Sequence, residues 1–260
     1  MKYIDLYGHY AWNIDKGVRN REEALRLLEI AHRHNITRIV ATPELVPSKF
    51  ELEDIYNAKG RMNELRLLAK RHHIRVYDGS IVILNRHTIT VMDQRLFIPV
   101  GNSRYVLCAL MPQDQYMDFH KEVALYLSSI INIEYKPIIT NVNELCQSDE
   151  DLKWITSLAK AGCLLAISAE SLVSKDRALK KRLYKLLDAN LITLIASGVV
   201  DSSHQVDALS QACHQLAKRY EYQGIKDLFY DNPKLILHDE EVNHRLVIKQ
   251  SLISKIRDII

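Results

Sequence analysis

The chain has 260 residues, 47% of them hydrophobic, and a formal net charge of +3. That length and composition suit one large α/β domain, since no Pro-, Gly- or Ser-rich stretch divides the sequence. The mild positive charge is spread along the chain and not gathered into a basic stripe, which argues against nucleic acid as the main partner.

In chain order, KYIDLYG reads as a short buried strand. NREEALRLLEIAHRHN reads as a helix, with Asn20 as its cap, Glu23 at the capping-box position and an apolar face that includes Leu27 and Leu28. ITRIVAT (36–42) is a second continuous apolar strand, and residues 54–72 form the next helix. RVYDGSIVIL (75–84), RYVLCALM (104–111), KPIIT (136–140), LLAIS (164–168) and LITLIAS (191–197) supply five more strands. Helical patterns near 113–132, 149–161, 174–188 and 204–220 separate most of them. Strands so uniformly apolar are buried on both faces, as in a parallel sheet covered by helices. About seven such units point to a barrel, with an open doubly wound sheet as the alternative. No GxGxxG or GxxxxGK[ST] loop follows a strand, which removes most support for a nucleotide-binding reading.

The basic clusters KRHHIR (70–75) and KKRLYK (180–185) fall in helical patterns and read as solvated faces. Cys108, Cys146, Cys163 and Cys213 are widely spaced without a CxxC pair, as expected of buried thiols and not of zinc ligands or disulfides. The opening residues lack signal-peptide regions and no stretch reaches transmembrane length. A cytoplasmic protein without stable membrane insertion is therefore expected.

In a barrel, functional side chains gather at the C-terminal ends of the strands. Read in turn, those ends offer Tyr7, His9 and Asp15, then Glu44, then Ser80 and Ile81, and then Ala109. Later strands offer Asn141, Asn143 and Glu144, and finally Ser197, Gly198, Val200 and Asp201. His9 reads as a hydrogen-bonded histidine in a polar pocket, Asp15 as a turn residue, and Glu44 equally as a metal ligand or as a partner for Lys16.

This order of segments resembles the bacterial manganese-dependent tyrosine phosphatases of capsule and exopolysaccharide loci. These are the CpsB/YwqE type within the polymerase and histidinol phosphatase (PHP) superfamily. The resemblance runs from Lys2 to about Leu237. It is carried by YIDLYGHYAWNIDKGVRNREEALRLLEIAHRHNITRIVATPEL, by GNSRYVLCALMP and KPIITNV, and by LLAISAESLV, LKKRLYKLLDANLITLIASGVVD and DLFYDNPKLIL. It implies an α/β fold, a PHP-type distorted (βα)7 TIM-like barrel over residues 1–238. Residues 239–260 follow as an amphipathic helix, with Leu246, Lys249, Ile253, Ile256 and Ile260 at helical spacing. That helix is expected to pack on the barrel or to serve self-association.

The resemblance also implies which residues stand at the family's metal positions. The first strand's two histidines correspond to Tyr7 and His9, and the paired aspartates to Asp15 and Lys16. The histidine after Ala-Thr-Pro corresponds to Glu44, and two strand glutamates to Ile81 and Ala109. A further histidine corresponds to Asn141, the phosphate-binding arginine to Glu144, and the last cluster to Gly198, Val200 and Asp201. A bridged manganese site needs several carboxylates and imidazoles to neutralise the metals and activate water. Isoleucine, alanine, glycine and valine have no lone pair to offer. His9, Asp15, Glu44 and Asp201 are the vestigial set, enough for no metal or one weakly held ion.

The expectation is a degenerate homologue, a pseudophosphatase that binds and regulates within exopolysaccharide or capsule tyrosine phosphorylation. A bacterial tyrosine kinase or its phosphorylated tail is the expected partner. The alternative is a weakly active metal-dependent phosphotyrosine phosphatase with a reduced site. A third reading is a structural subunit that oligomerises through the C-terminal helix.

Overall fold

A computed structural model of the chain describes residues 1–47, 49–110, 119–200, 207–242 and 246–248. The N-terminal apolar run forms β1 (Tyr3–Gly8), every residue of which is buried. Asn20 then caps α1 (Arg21–Arg33), its Oδ1 accepting the Glu23 N–H at 2.9 Å, while the Glu23 carboxylate accepts the Arg19 N–H at 2.9 Å. β2 (Ile36–Ala41), β3 (Glu44–Leu45) and α2 (Leu52–Ala69) follow, then a 3-10 turn over Lys70–His72, β4 (Arg75–Asp78), β5 (Ile81–Ile83) and α3 (Thr88–Asp93). The second half alternates β6 (Tyr105–Ala109), α4 (Phe119–Asn132), β7 (Lys136–Ile139), α5 (Val142–Leu145), α6 (Asp149–Lys160) and β8 (Leu164–Ser168). It continues with α7 (Ala169–Val173), α8 (Arg177–Asp188), β9 (Leu194–Ala196), α9 (Ala208–Leu216), α10 (Tyr222–Lys226), a π turn over Asp227–Asp231, and α11 (Asn232–Leu237).

All described ladders are parallel, in the orders β1-β2-β4 and β3-β5-β6-β7-β8-β9. The two sheets are one set of staves with two breaks. β2 and β3 form one stave interrupted at Thr42-Pro43, and β4 and β5 another interrupted at Gly79-Ser80. RVYDGSIVIL is thus two strands in different sheets. Gly79 permits the break, because a Cβ there would lie 2.6 Å from Val40 Cγ1. The far seam closes where Gly8 bridges Val199 and the Gly198 N–H donates to the Tyr7 carbonyl at 3.2 Å. The result is a distorted seven-stave barrel, as the sequence predicts.

Two apolar layers hold it together. Alternate strand residues such as Ile4, Leu6, Val40, Leu107, Ile138 and Leu194 fill the barrel, plugged from below by Ile236 and Leu237 of α11. The intervening residues pack outward on the helices, as Ile39, Val106, Ile139 and Ile167 do against Leu27, Leu28, Leu65 and Leu187. Each such side chain contributes roughly 1.5–3 kcal/mol when fully buried.

The cysteines are free, with Cys108, Cys146 and Cys163 buried and Cys213 partly so. KRHHIR departs from the solvated helical face expected of it: it comprises the 3-10 turn, buried Ile74 and the first residue of β4. Of the C-terminal segment, Leu246 is buried and Ile248 makes an extended antiparallel bridge to Tyr220. Helical positions Lys249, Ile253, Ile256 and Ile260 lie outside the described residues. Among those described, no helix is long and apolar enough to cross a membrane.

Candidate functional site

At the barrel's mouth, the C-terminal end of β1 delivers Tyr7 and then His9, whose N–H donates to the Val199 carbonyl at 2.8 Å. That bond turns the chain inward across the seam and leaves the imidazole 1% exposed. His9 Nδ1 lies 2.7 Å from Asp15 Oδ2. The same carboxylate accepts the Gly17 N–H at 2.8 Å and the Glu44 N–H at 2.8 Å. Burial pushes the Asp15 carboxyl up, but the His9 contact and the two amides outweigh it, and its pKa is lowered. A neutral imidazole donating from Nδ1 presents an unshared pair at Nε2, and His9 Nε2 is buried with no hydrogen-bond partner among the described residues.

Several other polar groups of the mouth bind one another. Lys16 Nζ is 3.0 Å from Glu44 Oε2. Asn141 holds a left-handed backbone, φ 51°, and its Nδ2 donates to Tyr7 Oη at 2.6 Å across the barrel. Burial, then the charges of Glu144, Glu44 and Asp5, pushes the Tyr7 hydroxyl well above its ordinary range against the Asn141 bond. Asn143 Oδ1 accepts the Ser168 N–H at 3.0 Å, tying α5 to β8. Gly198 sits at φ +68° with no room for a side chain, since a Cβ would lie 2.9 Å from that of Ser168.

These groups ring a cavity of about 460 Å³. Tyr7, Ala109, Asn141, Asn143, Gly198 and Val200 line it, as do Lys16, Glu44 and Glu144, so the structure gathers most of the residues singled out from the sequence. Ile81 lies instead in the barrel core, in register with Leu107, and Ser80 is buried with its Oγ donating to the Ile98 carbonyl, while His9, Asp15 and Ser197 stay outside the cavity's lining. Asp201 lies outside the described residues. Asp15, Lys16 and Glu44 border a neighbouring cleft of about 710 Å³ against α2. Among the described residues, the charged side chains of the mouth cavity are Lys16 against Glu44, Glu144 and Glu170. Burial and then the Glu44 charge push the Glu144 carboxyl up, partly offset by Lys16. Among the described residues, no three His, Cys, Asp or Glu side chains are placed to hold a metal ion.

Two features escape the sequence reading. Glu170 and Ser168 end the LLAIS strand, and the strand-end rule finds them once applied there. Asp5 lies beneath the mouth, fully buried, accepting from Tyr10 Oη at 2.6 Å, Ser197 Oγ at 2.5 Å and the Ser197 N–H at 2.8 Å. Its signal is an acid inside an otherwise apolar strand.

The family model for capsular polysaccharide synthesis, CpsB/CapC, matches residues 3–238. The tyrosine-protein phosphatase CpsB of Streptococcus pneumoniae is 24% identical over 245 residues, covering 91% of this chain and 99% of that protein. The putative tyrosine-protein phosphatase CapC of Staphylococcus aureus is 24% identical over 246 residues, 94% of each. In fold, the chain matches the solved structures of YwqE from Bacillus subtilis and CpsB from Streptococcus pneumoniae, called unique metal-dependent tyrosine phosphatases. That match has a TM-score of 0.76 at 19% identity, over 95% of this chain and 100% of the other. A phosphotriesterase homology protein from Escherichia coli shares the architecture at a TM-score of 0.59 and 9% identity, over 91% and 98% of the two chains. With nearly its whole length accounted for, the chain belongs to the CpsB/CapC family of capsular polysaccharide synthesis.

Proposed function

We propose that this chain is a pseudophosphatase: a member of the family that acts by binding within a capsule or exopolysaccharide tyrosine-phosphorylation system. A tyrosine kinase or its phosphorylated tail is the partner this reading expects. The observation that supports the reading is the pairing of the polar groups left at the family's metal positions. His9 and two amides occupy the Asp15 carboxylate, Lys16 holds Glu44, and Asn141 holds Tyr7. Ala109, Gly198 and Val200 stand at the other family ligand positions around the cavity. Such a donor set does not fit a bridged manganese cluster, which needs several free carboxylates and imidazoles. Glu144, in place of the arginine expected to meet phosphate, adds negative charge where a phosphate dianion would enter.

The second reading keeps a weakly active phosphotyrosine phosphatase with a reduced one-metal site of His9, Asp15, Glu44 and Asp201. The buried, unpartnered His9 Nε2 favours it. Hydrolysis of a phosphotyrosyl peptide with and without manganese separates the two, with His9→Ala reporting any contaminating phosphatase. The pseudophosphatase reading expects no turnover above the His9→Ala background. Manganese-dependent turnover lost in His9→Ala would establish the reduced enzyme instead.

A further inference from the structure

The mouth cavity and the cleft against α2 share a wall. Lys16 and Glu44 border both, and their ion pair stands where the two meet. Joined there, hollows of about 460 and 710 Å³ make one groove from Gly198 at the barrel's seam to Glu64 on α2. Either alone is of the size that takes a small ligand, about 300–1,000 Å³, and the two in line suit a chain of several residues.

The α2 half is lined for such a chain. Ile14, Val46 and Phe50 give it an apolar side, and the exposed ring of Tyr56 stands at its border. Gly60, halfway along the 18-residue α2, lines it too, and a Cβ built there would meet nothing within 4 Å. Glycine inside a helix costs roughly 0.5–1 kcal/mol relative to alanine. No neighbouring atom among the described residues requires it here, so the helix keeps a bare surface that another backbone can approach.

The charge of the groove is one-sided. Among the described residues, six carboxylates and three cations border it. Lys16 is engaged by Glu44, and Arg61 by Glu64 at 3.0 Å while lying 4.8 Å over the Trp12 ring. Glu144 and Glu170, at the mouth end, have no ion-pair partner among the described residues. Residues 111–118 and 201–206, which follow β6 and β9 in the chain, contain no Lys or Arg to offset them.

We propose that this groove holds an extended, unphosphorylated peptide segment that carries Lys or Arg, its backbone passing Gly60 and a cationic side chain meeting Glu144 and Glu170. The inference rests on the mouth acting by binding, as proposed above, and narrows the partner to a basic stretch free of phosphate. A phosphoryl group brings about two negative charges at neutral pH, which the same carboxylates repel. Phosphorylation of the segment therefore releases it.

Calorimetric titration of the full chain, without manganese, with the peptide Ala-Lys-Tyr-Lys-Tyr-Lys-Ala tests the groove. One twin is phosphorylated on both tyrosines, and another has glutamate in place of each lysine. Saturable binding of the basic peptide is expected, about tenfold or more tighter than that of either twin. Glu144→Gln combined with Glu170→Gln should weaken it about tenfold. Gly60→Leu, which puts a side chain into the cleft without a clash, should weaken it as much while the thermal midpoint stays level or rises. No saturable binding, a phosphorylated twin that binds as tightly as its parent, or binding indifferent to either the glutamine pair or Gly60→Leu overturns the proposal. Manganese-dependent release of phosphate from the phosphorylated twin would overturn the pseudophosphatase reading instead, a failure that the binding measurements do not share.

Discussion

The two ends of the barrel solve opposite electrostatic problems. At the mouth, among the described residues, the buried carboxylates have donors, Asp5 from Tyr10 and Ser197 and Asp15 from His9 and two amides, and exposed Lys16 pairs with half-buried Glu44 at the rim. At the floor Arg38 and Arg75 are in register on neighbouring strands, and among the described residues neither is paired with an acid. The two buried polar atoms without partners among the described residues, His9 Nε2 and Arg38 Nη1, mark one end each. A donor or acceptor left in that condition costs about 1–3 kcal/mol. The contrast teaches that the apolar core sets the barrel without fixing the charge at either of its ends.

The largest effect on this contrast should come from Asp5. Replacing it with Ala strands the Tyr10 hydroxyl, the Ser197 hydroxyl and the Ser197 N–H together, and should cost about 3 kcal/mol in urea unfolding. Burial pushes the Asp5 carboxyl up, against the bonds from Ser197 and Tyr10. With the folded pKa above the unfolded value, stability from this group is full below the unfolded pKa and falls as pH rises through the folded one. Asp5→Asn should remove that slope while keeping most of the seam's hydrogen bonds. An Asp5→Ala protein as stable as the parent would show that the seam holds without it.

What the sequence made legible follows from how local each signal is. Continuous apolar strands announce burial on both faces, and Asn20 with Glu23 announces the start of α1, because each is written in adjacent residues. The division of RVYDGSIVIL at Gly79 was not legible, since it depends on Val40, a side chain from another stave. Helices of about one turn, such as α5 and α7, are too short for a periodic pattern. At the mouth, the strand-end rule located Tyr7, Glu44, Asn141, Glu144 and Gly198. Asp5 joins Ser197 across 192 positions of sequence, and Arg38 meets Arg75 only through strand register. Neither pairing has a one-dimensional signature.

Asp15 should show the opposite pH behaviour at smaller amplitude. Asp15→Ala removes the acceptor of His9 Nδ1 and of the Gly17 and Glu44 amides, and should cost about 2 kcal/mol. Because its pKa is lowered by those contacts against burial, its stabilisation is present above the unfolded value and is lost as pH falls through the folded one. Urea midpoints from neutral to acid pH should therefore flatten on the acid side in Asp15→Asn. An unchanged acid limb would mean that the His9–Asp15 pair carries no net charge interaction.

Lys16→Met should have the smallest effect on stability, under about 0.5 kcal/mol, because its pair with Glu44 is open to solvent. Its consequence lies in the field of the cavity. Burial and the Glu44 charge already push the Glu144 carboxyl up, and Lys16 is the cation that opposes them. Removing it should move the Glu144 titration further up, read by carboxyl carbon chemical shifts, and leave the mouth still less hospitable to a phosphate. Were Glu144 to titrate unmoved, Lys16 would not share a field with the cavity's carboxylates.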